Sequence, residues 1–86
     1  MKLTSEEAAA SMLRIREQIR TVLGAQYEER IAPLRREIDQ VIAVEGVAVL
    51  AAGLKVAQRH AASGNAMAAM MATAATADLC DRDRRA

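Results

Sequence analysis

Residues 41–57, V-I-A-V-E-G-V-A-V-L-A-A-G-L-K-V-A, leave the rest of the chain little freedom. The stretch carries one carboxylate, Glu45, and one amine, Lys55; everything else in it is apolar or glycine. At helical pitch the solvent stripe that begins at Glu37 and Gln40 runs on through Val44, Val47 and Ala51, and turns polar again only at Lys55 and Gln58. A helix without a wet face has to be covered all round, by its own fold or by a second copy of the chain. The expected fold is therefore all-α: a small bundle of two to three helices, a helical hairpin or a three-helix chain, completed by homo-oligomerisation.

Composition strengthens the need for a second copy. Among 86 residues there is no Phe, no Trp and one Tyr, Tyr27. A core has to come from Leu, Ile, Val, Met and many Ala, and each Ala buries little. A chain this short buries only about 60% of its unfolded surface, and the single Cys80 makes no internal disulfide. Association with itself is the simplest remedy.

The charge is nearly balanced, 12 Lys and Arg against 11 Asp and Glu for a formal +1, which speaks against a polyanion-binding tail. Arg outnumbers Lys and Ala abounds, as in the coding of GC-rich bacteria and their phages. The start, M-K-L-T-S-E-E, puts acids where a signal peptide needs an apolar run, so a cytoplasmic protein is expected. Neither apolar stretch reaches the roughly 20 residues of a membrane span, and no membrane partner is expected.

In chain order, Thr4 and Glu7 form a capping box, with Leu3 placed to staple onto Ala8, so a helix starts at about Ser5. Ala8, Met12, Ile15, Ile19 and Val22 make its apolar seam, with Leu23 beside it and Arg14, Arg16, Glu17 and Arg20 outside. Gly24 is the expected stop. From Tyr27 a shifted stripe runs through Ile31, Leu34, Ile38 and Val41, which calls for a turn or kink between Gly24 and Pro33, with Pro33 near the first turn of helix two. That helix is expected to continue to about Ala62, some 30 residues and about 45 Å. Two other readings of its middle compete: a helical hairpin turning at Gly46, or a β-hairpin over residues 41–50. Ser63, Gly64 and Asn65 form a turn, and Asn65 caps a last helix running to about Cys80. Residues 1–80 make one helical domain, and 81–86, D-R-D-R-R-A, a frayed charged tail.

Several groups are candidate sites. Ile42, Gly46, Val49, Gly53 and Val56 make a row of alternating small and branched residues, suited to close approach of a second copy. Met67, Met70 and Met71 form an adaptable docking patch for a partner. Glu45 has only apolar neighbours at helical spacing, so it must reach water, pair with a cation of another helix or chain, or hold a proton. Arg14, Arg16, Arg20, Arg30, Arg35 and Arg36 are a candidate basic face, and Arg35 and Asp39, four apart, are expected to meet. His60 and Cys80 are isolated, with no metal-ligand spacing between them. No phosphate loop, nucleophile elbow or acid–base pair is visible, so no catalytic residue, metal or cofactor is expected.

Residues 40–46, Q-V-I-A-V-E-G, followed by His60, resemble the middle helix of the small all-helical repressors that sense copper or formaldehyde. That resemblance spans about a fifth of the chain and implies disc-shaped tetramers that bind DNA. The family's sensing Cys has no counterpart, Arg35 and Arg36 occupying its region, and the later His-x-x-x-Cys pair is missing. The expectation drawn from the sequence is a small non-enzymatic adaptor or inhibitor that binds itself and another protein; the alternative is a dimeric or tetrameric nucleic-acid-binding regulator using the Arg-rich first half.

Overall fold

Thr4 begins the first helix as its local chemistry requires. Its hydroxyl accepts from the Glu7 amide at 3.1 Å while the Glu7 carboxylate accepts from the Thr4 amide at 3.2 Å, a complete capping box. In the computed structural model, which describes residues 4–85, four α-helices follow: α1 Ser5–Leu23, α2 Tyr27–Glu45, α3 Val49–Ala62 and α4 Ala66–Arg85. The Leu3 staple lies outside the described residues. Among them there is no strand, which removes the β-hairpin reading of residues 41–50.

The break after α1 is set by Gly24, whose φ of 55° and ψ of −128° lie where a side chain is not tolerated. A single 3₁₀ turn, Gly24–Gln26, then leads into α2. Pro33 does not start that helix. It is the seventh residue of α2, and the helix runs through it to Glu45. Pro33 and Glu29 are both exposed, so the hydrogen bond that proline removes lies on the outer side of the helix.

The long second helix is not formed. Gly46 adopts the left-handed conformation, φ 67° and ψ 27°, and its amide caps the Ile42 carbonyl. The chain turns through 118° and α3 begins at Val49. The helical-hairpin reading describes this corner. A 45 Å rod is replaced by a body of 32 × 31 × 30 Å. Asn65 caps α4 through its side-chain oxygen, which accepts from the Ala68 amide at 3.0 Å. That helix passes Cys80 and continues to Arg85, so residues 81–85 are helical and not a frayed tail.

α4 is the centre of the bundle: α1, α2 and α3 all pack on it, while α1 and α3 do not touch. Its middle is A-T-A-A-T-A, small enough for three helices to come close. Ala72, Ala74, Ala75 and Leu79 meet Ile31, Leu34, Ile38 and Val41 of α2, Ile19 of α1, and Ala52 and Val56 of α3 in one core. Gly53 lies directly against Thr76. In α1 the inward row is Met12, Arg16, Ile19 and Leu23, whereas Val22, expected in the seam, is 69% exposed.

Candidate functional site

The strongest electrostatic feature is Asp78 on α4, whose side chain is 11% exposed. Tyr27, at the start of α2, donates its hydroxyl to Asp78 Oδ2 at 2.8 Å, and Arg35 Nη1 donates to the same oxygen at 3.0 Å. Arg16 Nη1 lies 3.4 Å and Arg20 Nη2 3.7 Å from Oδ1. Around this centre Arg16 also binds Asp81 at 2.6 Å, Arg20 binds Glu17 at 2.9 Å and stacks 5.3 Å over the Tyr27 ring, and Arg35 binds Glu28. Burial and the bond to Asp78 push the Tyr27 phenol well above its ordinary range. The hydrogen bond from Arg16 holds the Asp81 carboxyl below the usual carboxylate range, as that from Arg35 does for Glu28. Among the described residues the buried Nε of Arg16 has no hydrogen-bond partner.

The cluster fastens α1 and α2 to α4, which explains a paired row of arginines along the first half of the chain. It also reassigns the candidate basic face. Arg16, Arg20 and Arg35 turn toward carboxylates, and Arg14 donates to Ser11 Oγ at 3.1 Å. Among the described residues, Arg30 and Arg36 make no ion pair. Arg35 does not meet Asp39; Asp39 instead receives both Nη atoms of Arg82 at 3.1 Å. Two open clefts of about 380 and 300 Å³ lie over this region and share Arg35, Asp78 and Arg82.

The proposed self-association row is largely used within the chain. Gly53 and Val56 are buried, and Gly53 is in contact with Thr76 of α4. Ile42 and Val49 are half-buried, and Gly46 is the helix cap at the corner. The methionines divide: Met71 is core, while Met67 and Met70 are exposed. Glu45 finds its cation on the next helix, Lys55 Nζ at 2.5 Å, and His60 Nε2 lies 3.1 Å from Glu37. Among the described residues no three His, Cys, Asp or Glu side chains are grouped to hold a metal, and no single helix is long and apolar enough to cross a membrane.

Part of what remains bare is apolar. Val44 is 72%, Leu50 61% and Leu54 59% exposed, with Ala51 exposed and Val47 half-buried between them. No family model, curated protein or solved structure matches the chain. The segment resembling the copper- and formaldehyde-sensing repressors is the end of α2, closed by Gly46, and its His60 is paired with Glu37.

Sequence reasoning missed Asp78. The only charged side chain between Ala66 and Cys80, in a chain whose one tyrosine hydroxyl needs an acceptor, was the available signal.

Proposed function

We propose that the protein is a cytoplasmic, non-catalytic protein-binding module, an adaptor or inhibitor that associates with itself and presents helical surface to another protein. The observation that carries this reading is the exposure of Val44, Leu50 and Leu54. A chain without Phe or Trp has few large apolar side chains to build with. Leaving each leucine about 60% exposed forgoes on the order of 1 to 2 kcal/mol of burial. Met67 and Met70 add a second exposed apolar pair, flexible enough to adapt to a partner. The alternative, a nucleic-acid-binding regulator, is less well supported, because three of its six arginines face carboxylates at the Asp78 cluster.

A photo-crosslinking residue placed at Leu54, at Met67 and at the exposed polar Gln18 tests the reading in cells. Protein adducts at Leu54 and Met67, absent at Gln18, are expected. Equal capture at all three positions, or nucleic acid captured with steep salt sensitivity by a fourth probe placed at Arg36, would count against it.

A further inference from the structure

We propose that the outer face of α3 is the contact surface of a two-fold homodimer in which the α3 helices of two copies pack antiparallel. The proposal rests on the reading above that exposed apolar surface is this protein's means of recognition, and it names the first occupant of that surface. Leu50, Leu54, Ala57 and Ala61 follow one another at spacings of four, three and four, the repeat of a coiled-coil seam. The row runs along the rim of the core: Leu50, Leu54 and Ala61 are exposed, Ala57 is half-buried and packs against the core's edge, and α3 lies at an edge of the bundle with no contact to α1.

Two features select a second copy over an unlike partner. First, the order Leu, Leu, Ala, Ala is complementary to its own reverse. With the two-fold axis beside Lys55 and Val56, the midpoint of Val49–Ala62, Leu54 of one copy meets Ala57 of the other and Leu50 meets Ala61. Every layer then sets a large side chain against a small one, over the whole length of the helix. Second, a two-fold axis brings each flank close to its own image, so a charged flank would repel itself. The outer flank is Ala51, Gln58 and Ala62, without charge, and Lys55 is held by Glu45 of α2. One 14-residue helix supplies less than the roughly 800 Å² per partner of a standard interface. The dimer is accordingly one that dissociates on dilution.

The test is the solution mass by sedimentation from about 1 µM to about 1 mM, with helical content followed in the same samples. Wild type is expected to pass from monomer to dimer. Leu54→Glu should weaken association at least about 100-fold with helix content unchanged, since two leucines leave the seam and two carboxylates enter it. Val22→Glu, exposed on α1, should leave the dimer intact. In a Cys80→Ser background, mixed Leu54→Cys and Ala57→Cys copies should form the mixed disulfide in preference to either homodimer. A monomer at the highest concentration, equal sensitivity to both Glu variants, or a dominant Leu54→Cys homodisulfide would overturn the proposal. If the chain is monomeric while Leu54 still crosslinks a different protein in cells, the dimer fails and the recognition reading stands; if Leu54 captures nothing, both fail.

Discussion

Replacing Gly53 by Ala should destabilise this protein, against the usual effect of that change in a helix. Ala at an interior helical position is normally worth about 1 kcal/mol over Gly. Here a Cβ at position 53 would lie 2.0 Å from Thr76 Oγ1, 2.6 Å from Cγ2 and 2.8 Å from Cβ. The Thr76 hydroxyl, bonded to the Ala72 carbonyl at 2.7 Å, can rotate away; its Cβ is fixed by the backbone, so α3 and α4 would have to part. Overpacking of this kind costs about 1 to 3 kcal/mol, and the fixed contact places Gly53→Ala near the top of that range. After the helix-propensity gain, a net loss of about 2 kcal/mol is expected. Thr76→Gly moves the notch to the other helix. In that background Gly53→Ala should become stabilising by up to about 1 kcal/mol, a coupling of about 3 kcal/mol. Urea unfolding followed by far-ultraviolet circular dichroism, at one fixed protein concentration so that association does not enter, reads all four proteins. A higher midpoint for Gly53→Ala alone, or an effect of the same sign in both backgrounds, would refute the close α3–α4 contact.

The Asp78 cluster makes further predictions. Asp78→Asn leaves three guanidinium groups short of a carboxylate at a site 11% exposed, and should cost about 3 kcal/mol by chemical denaturation, whereas Glu45→Gln, breaking a half-exposed pair, should cost less than about 1 kcal/mol. Because burial and Asp78 raise the Tyr27 phenol, its stabilising contribution is complete below about pH 10 and is lost as pH rises beyond it. Tyr27 is the only aromatic, so tyrosinate absorbance reports it alone; absorbance should appear above pH 11, together with loss of helix, and half-ionisation near pH 10 in a folded protein would contradict the buried bond. At the acid end the lowered Asp81 carboxyl contributes stability above about pH 4 that disappears as pH falls through its depressed value; Asp81→Asn should flatten that part of the stability curve, measured as urea midpoint against pH.

Much of the fold was legible where a helix carries its own punctuation. The Thr4 and Glu7 box, the stop at Gly24, the stripe from Tyr27 to Val41 and the Asn65 cap are local signals, and each describes the structure. The corner at Gly46 was not decided by its sequence, because neighbours that are apolar on every side give no periodicity to end. α4 was the least legible. Alanine adds little to an amphipathic pattern, so the helix that three others pack against reads as a plain one. Its charged end was likewise read as solvated, since the partners of Asp81 and Arg82 are Arg16 and Asp39, far away in the chain. Arg16 stands in the inner row of α1 for the same reason: only the positions of Asp81 and Asp78 make a buried guanidinium tolerable there. Of the candidate sites, the excess of apolar surface around residues 44–54 was visible in the sequence, whereas its division into an inward Gly53–Val56 face and an outward Leu50–Leu54 face was not.

That division is the centre of this account, and thiol labelling tests it most directly. In a Cys80→Ser background, Leu54→Cys and Val56→Cys are reacted with a maleimide at low and at high protein concentration. The account predicts a position 54 that labels fast when dilute and slowly when concentrated, and a position 56 that is slow throughout. Protection of position 54 at every dilution, or equal reactivity of the two positions, would contradict it.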